Sequence, residues 1–121
     1  MLHLGHIRLL KYAKSLGDYL VVCTDTDRRI KELKGASRPI QDQVERVEML
    51  SSLRVVDEVR IFDSEEALES IIKNYQPDIM VKGSDYRGQR IVGEEYCKEI
   101  IFFERIDGYS TTNTIKNIAN R

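Results

Sequence analysis

His3-Leu4-Gly5-His6 stands at the front of the chain and Gly108-Tyr109-Ser110-Thr111-Thr112 near its end. Two imidazoles three residues apart, with a glycine between them and an apolar helical pattern behind, suit an anion better than a core. The distal segment is a glycine turn followed by three hydroxyl residues where a helix should begin. Such a segment offers backbone N–H groups, hydroxyl donors and the positive end of a helix to phosphate. Taken alone, Ser110-Thr111-Thr112 reads as an ordinary helix cap and His6 as a surface histidine. Together, at opposite ends of an alternating chain, they predict nucleotide chemistry, with the first and last helices opening into a common hollow.

The elements that must position these groups follow from periodicity. Leu4, Ile7, Leu10, Ala13 and Leu16 recur at helical spacing, and Gly17-Asp18 stops that helix. Tyr19 to Thr24 is a short valine-rich run, the pattern of a strand covered on both faces. Asp25 or Thr26 can cap a short helix through Ile30 and Leu33 that ends at Gly35, and Lys34 to Pro39 is a loop carrying the charges of Lys34 and Arg38. Val44, Val47, Leu50 and Leu53 define a third helix with Asp42 as its cap. Val56 to Phe62 predicts a second strand, and Asp63-Ser64 opens a helix through Leu68, Ile71 and Ile72. After Pro77 come a short strand at Ile79-Met80-Val81, a polar loop from Lys82 to Gly88 and a weaker helix around Val92 to Lys98. The last strand runs from Glu99 to Arg105 and the closing helix from Thr111 to Ala119.

Strand and helix alternate with short links, which predicts an α/β fold: a parallel sheet with helices on both faces. Ligands of such sheets bind outside the carboxyl ends of the strands. Three polar segments follow strands, Asp25–Asp27, Lys82–Tyr86 and Ile106–Thr112, so all three are expected on that one edge together with the histidine pair.

The bulk properties narrow the partners. A chain of 121 residues fits one domain with a single core. Its formal charge of −1 gives no reason to expect nucleic acid or a membrane surface as a partner. Any phosphate site must come from local placement of basic groups. Cys23 and Cys97 have no metal-ligand spacing and are expected to be buried free thiols. No run approaches the ~18–20 apolar residues of a membrane span and no signal peptide is read, so the expected location is the cytoplasm.

With these motifs in place, the chain resembles the nucleotidyltransferases that carry an H-x-G-H signature, the cytidylyltransferase-like group. His3-Leu4-Gly5-His6 fits the first signature and Arg105-Ile106-Asp107-Gly108-Tyr109-Ser110-Thr111-Thr112 the second. Within the group the chain is most similar to the adenylyltransferase domain that makes ADP-heptose from heptose 1-phosphate. The residues that carry this likeness are Asp27, Leu33-Lys34-Gly35, Arg38-Pro39, Arg46, Val56-Asp57, Pro77-Asp78, Val81-Lys82-Gly83-Ser84-Asp85-Tyr86 and Val92-Gly93. Two departures stand out. Tyr109 replaces a usual aliphatic residue and Asp107 a commoner glutamate. The resemblance also implies a central strand ahead of the histidine pair, so residues 1–121 read as one Rossmann-like nucleotidyltransferase domain truncated at its N-terminus relative to the family. The sheet is then expected to be completed in one of three ways: by an upstream start, by a strand from a neighbouring chain, or by direct closure of two half-sheets.

The reaction implied is attack by a sugar-phosphate oxygen on the α-phosphorus of a nucleoside triphosphate, ATP being favoured, with release of pyrophosphate. The attacking oxygen is already anionic, so positioning and charge stabilisation set the rate. The resemblance assigns His3 and His6 to the α- and β-phosphates, Gly5 to their close approach, and Ser110, Thr111 and Thr112 to the β- and γ-phosphates. Arg105 would hold the leaving pyrophosphate, and Mg²⁺ would enter bound through the nucleotide phosphates. Gly83, Asp85 and Gly108 fall to the nucleotide, and Asp27, Arg46 and Lys82 to the acceptor. The alternatives are a cytidylyltransferase using CTP and glycerol 3-phosphate, and a non-catalytic nucleotide-binding remnant. Pairing as a homodimer is a further implication.

Overall fold

The valine-rich run, the helical stripes and their caps fold close to where periodicity places them. A computed structural model describes residues 4–35, 42–104 and 117–120. In chain order these form α1 (Leu4–Ser15), β1 (Leu20–Asp25), α2 (Asp27–Lys34), α3 (Gln43–Ser51), β2 (Glu58–Phe62), α4 (Glu65–Tyr75), β3 (Ile79–Gly83), β4 (Glu99–Phe103) and β5 (Asn117–Asn120). Side-chain caps satisfy first-turn N–H groups that the helices cannot pair internally. Thr26 Oγ1 accepts from the Arg29 N–H at 3.3 Å, Asp42 Oδ1 from Glu45 at 2.8 Å and Ser64 Oγ from Ala67 at 3.1 Å. Among the described residues no helix is long and apolar enough to cross a membrane.

The sheet has five strands in the order β2-β1-β5-β3-β4. β1 pairs with β2 in parallel, Val21 opposite Glu58 through Asp25 opposite Phe62, and β3 pairs with β4 in parallel. β5 is antiparallel to both β1 and β3, so those two run the same way. The carboxyl ends of β1, β2, β3 and β4 therefore share one edge. Alternation of side chains along the strands sorts the core into two layers. Leu20, Val22 and Val81 pack with Leu10 and Ala13 of α1 and Leu50 of α3. Val21, Cys23 and Met80 pack on the other face with Phe62 and with Leu68 and Ile72 of α4. Both faces are covered, which is why β1 carries almost no polar residue before Thr24.

Several expectations are corrected. Of the closing helix expected over Thr111–Ala119, the described residues 117–119 are instead part of β5. The half-sheets do not close on each other, because β5 stands between β1 and β3. The physical reason is shared by both corrections. An unpaired buried backbone group costs about 1–3 kcal/mol, and two buried strand edges present a row of them, which outweighs a local helical preference of a few tenths per residue. The sheet is accordingly mixed, not wholly parallel. The weak helix expected around Val92–Lys98 shrinks to a single 3₁₀ turn at Glu94–Tyr96. Gly93, in a left-handed conformation at φ 82°, starts that turn, a backbone state that an α-helix cannot contain.

Gly93 leads to a prediction. A Cβ there would stand 2.6 Å from Ile72 Cδ1 and 2.9 Å from its Cγ2, and Ile72 is a core residue of α4. Gly93→Ala combines left-handed strain with overpacking, and the expected loss is about 2–4 kcal/mol. It should be read as a lower urea midpoint at unchanged slope. A midpoint equal to that of the wild type would show that Ile72 yields freely.

Asp57 fastens the entry to β1. Its Oδ2 accepts the Leu20 N–H at 2.7 Å and the Lys14 ammonium at 2.5 Å. The Lys14 hydrogen bond, followed by that from Leu20, holds the Asp57 carboxyl below the usual carboxylate range. A folded-state pKa lowered in this way contributes stability above the unfolded value of about 3.9, and the contribution is lost as pH falls through the folded value. Asp57→Asn is therefore expected to cost about 1 kcal/mol near neutral pH, with the gap to wild type closing below about pH 4. Melting temperatures of both proteins across pH check this, and a gap that persists unchanged into strong acid contradicts it.

Candidate active site at the carboxyl edge of the sheet

The turn from β1 into α2 is tied to the turn from β2 into α4. The Thr26 N–H donates to the Phe62 carbonyl at 3.0 Å, and the Thr26 hydroxyl donates to Asp63 Oδ1. Arg28 Nε reaches both Asp63 oxygens at 3.0 Å, and its Nη2 reaches the Asp63 carbonyl at 2.9 Å. Arg28 first, then Thr26, keeps the Asp63 carboxyl below its ordinary range. These bonds fix where β1 stops and where the side chains beyond it can go.

Arg46 works from beneath the same turn. Periodicity places it one residue before an inward position, yet the structure buries Arg46 itself at 1% side-chain exposure and leaves Val44 70% exposed. Its Nη1 donates to Asp27 Oδ1 at 3.1 Å and its Nη2 donates to the Asp25 carbonyl. The Asp27 N–H in turn donates to Gln43 Oε1 at 2.9 Å. Two residues expected separately at the acceptor, Asp27 and Arg46, are thus brought together as one ion pair. A planar fork is suited to this, because it spans a carboxylate and a carbonyl at once.

At the end of β3, Lys82 is buried and its ammonium sits 4.2 Å from the centre of the Tyr86 ring, a cation–π contact. Burial, with the negative charges of Asp25 and Asp85 behind it, pushes the Tyr86 phenol up. Gly83 closes the strand with no atom within 4 Å of where a Cβ would stand. Asp85 is exposed in the 3₁₀ turn that follows, Ser84–Tyr86.

The pleat sends Asp25 to the same face as Val21 and Cys23, and Lys82 to the same face as Met80. A cavity of about 170 Å³ opens on that face, lined by Asp25, Arg29, Phe62, Lys82, Tyr86 and Ile91 among others. Asp25 is 2% exposed at its side chain, and its Oδ1 accepts from Arg29 Nε at 2.9 Å. The Arg29 guanidinium also lies 5.7 Å from the centre of the Phe62 ring. The sequence reading names Asp25 only as a candidate cap and as the start of the polar segment Asp25–Asp27 expected at the sheet edge, with no role at the site of its own. The signal that would have found it is the alternation Val21, Cys23, Asp25.

His6 lies in the first turn of α1 and belongs to its buried stripe with Leu10 and Ala13. Gly5 beside it is half-buried. His3, Arg105, Gly108, Ser110, Thr111 and Thr112 lie outside the described residues, and with them the expected hollow between the first and last helices. The segments Asp25–Asp27 and Lys82–Tyr86 do meet at one edge, as expected. Both cysteines are free. Burial pushes the Cys23 thiol up to about 12 and the half-buried Cys97 thiol to about 11, so neither is a nucleophile at neutral pH.

Comparison with known proteins places this arrangement. Residues 1–117 match the family model described as cytidylyltransferase-like. The bifunctional protein HldE of Campylobacter fetus subsp. fetus is 48% identical over 118 residues, covering 98% of this chain and 26% of that protein. The bifunctional protein HldE of Aliarcobacter butzleri is 45% identical over 98% of this chain and 25% of its own length. The chain thus spans about a quarter of the length of these curated relatives. Among solved structures, the lipopolysaccharide core biosynthesis protein of Thermoplasma volcanium GSS1 superposes with a TM-score of 0.70 at 30% identity, covering 88% of this chain and 90% of that one. By its match over residues 1–117 and its superposition on the solved relative, the chain belongs to the cytidylyltransferase-like family of nucleotidyltransferases.

Proposed function

We propose that the protein transfers a nucleoside monophosphate, AMP in the favoured reading, from a nucleoside triphosphate to a sugar phosphate such as heptose 1-phosphate. A bond forms between an acceptor phosphate oxygen and the α-phosphorus, the bond from that phosphorus to the β-phosphate oxygen breaks, and pyrophosphate leaves. The observation that carries the acceptor class is the cavity at the sheet edge, where a buried carboxylate, Asp25, and a buried ammonium, Lys82, line one space. A ligand bearing both hydroxyl groups and phosphate oxygens matches that mixed lining. The name of the solved relative, lipopolysaccharide core biosynthesis protein, supports a sugar acceptor.

In this reading His6, with His3, donates to phosphate oxygens where charge accumulates during transfer, and Gly5 leaves room for them to approach. Asp27, aimed by Arg46, accepts from acceptor hydroxyls, and Lys82 draws in the acceptor phosphate. Gly83, Asp85 and Gly108 serve the nucleoside, and Arg105, Ser110, Thr111 and Thr112 hold the pyrophosphate that leaves. Among the described residues no group of three His, Cys, Asp or Glu could hold a metal ion. Mg²⁺ would enter carried by the triphosphate's own oxygens, where it would neutralise phosphate charge.

The test is release of pyrophosphate from ATP or CTP, with Mg²⁺, in the presence of a panel of sugar 1-phosphates and glycerol 3-phosphate. Release with ATP and a sugar 1-phosphate is the expected result. Preference for CTP with glycerol 3-phosphate would replace the acceptor assignment, and no release from any pair would refute catalysis.

A further inference from the structure

We propose that Asp25 is a specificity-determining residue for the acceptor, its second carboxylate oxygen taking a hydrogen bond from one hydroxyl group of the sugar phosphate. This inference rests on the sugar-phosphate reading above and goes beyond it by naming the group that reads the sugar. A carboxylate accepts on both oxygens. Asp25 Oδ1 is engaged by Arg29 Nε at 2.9 Å, while Oδ2 is buried and has no hydrogen-bond partner among the described residues. A buried acceptor left in that state is expensive, and native proteins rarely keep one without a reason. Here the residue lines a cavity of about 170 Å³, room for several ordered waters in the empty protein and for a sugar ring when filled.

The chemistry of the lining narrows the occupant. Asp25 can only accept, so the group it meets must donate: a hydroxyl or an ammonium. Arg29, Lys82 and Arg90 line the same space against Asp25 and Glu65, which disfavours a second ammonium. Lys82, which the pleat puts on the same sheet face, offers a positive charge to an anionic oxygen. A hydroxyl donor and a phosphate on one small molecule satisfy both. The neighbouring Arg29 fixes the direction of the carboxylate, so the free oxygen is held in place before the ligand arrives. A site built to pair a ligand hydroxyl rejects the analogue that lacks it far more strongly than an apolar pocket rejects a missing methylene.

The experiment measures binding of a sugar 1-phosphate and each of its monodeoxy analogues by calorimetry without nucleotide, and pyrophosphate release separately. On the wild type, deletion of one particular hydroxyl should weaken binding about 10- to 100-fold, the other deletions much less. Asp25→Asn must keep its carbonyl oxygen on Arg29 and so turns an amide NH₂ toward the ligand. It should bind the parent sugar phosphate about 10-fold more weakly, discriminate less against the critical deoxy analogue, and leave the KM for nucleotide within about twofold. The analogue series needs no variant, so it decides the matter even where Asp25→Asn folds poorly. No hydroxyl deletion costing more than about threefold, or an Asp25→Asn variant that binds as the wild type does, overturns the inference while pyrophosphate release leaves the transfer reading standing. Binding with the expected pattern but no pyrophosphate refutes transfer and keeps Asp25. A wild type that binds no sugar phosphate overturns both.

Discussion

Arg46→Met should destabilise the protein by about 2–4 kcal/mol, the range for removing one partner of a buried pair, discounted because Asp27 can partly rehydrate. Methionine fills most of the space of the arginine stem and has no donor. The Asp25 carbonyl at the buried end of β1 would then lose the Nη2 hydrogen bond, and Asp27, whose side chain is 29% exposed, would lose its counter-charge. Urea denaturation gives the loss directly. Pairing Arg46→Met with Asp27→Asn separates the two contributions, since the double variant should be less destabilised than the sum if the ion pair is the larger part. Arg46→Lys keeps the charge but not the fork, and is expected to recover only part of the stability. A cost below about 1 kcal/mol for Arg46→Met would mean that the bonds to Asp27 and Asp25 contribute little net free energy.

His6→Ala is expected to lower kcat about 100- to 1,000-fold, the effect of removing one preorganised donor to developing charge. kcat and kcat/KM should fall together, because an interaction made mainly in the transition state leaves substrate binding nearly untouched. The histidine shares its helix face with Leu10 and Ala13, so melting temperature must be recorded beside activity. A large loss of activity at near wild-type stability supports the phosphate role. A variant that retains full turnover refutes it, whatever its stability.

How far the sequence led differs from residue to residue. The caps Asp42 and Ser64, the covered strand β1 and the meeting of Asp25–Asp27 with Lys82–Tyr86 were all legible, because each depends on local periodicity or on the handed connection of parallel strands. Arg46 was legible only as a candidate. Helical spacing marks its neighbour Val47 as inward, and it takes the carboxylate of Asp27, nineteen residues away, to make burial of a guanidinium tolerable. Asp25 was legible as part of the edge segment, but its own role was hidden for a similar reason. Its place in the alternation of β1 is local, but the cavity that gives the place meaning is made by Phe62, Lys82 and Tyr86 from elsewhere in the chain.

The clearest division lies between α1 and β5. The apolar stripe of α1 and the covered strand that follows are properties of short segments, and the amino-acid order alone determined them. The conformation of residues 117–120 was decided by tertiary structure. Asn117-Ile118-Ala119-Asn120 carries no strand signal of its own, and it is extended because β1 and β3 each present an inner edge of backbone groups that must be paired. Local preferences of a few tenths of a kcal/mol per residue cannot compete with hydrogen bonds to two buried strands at once.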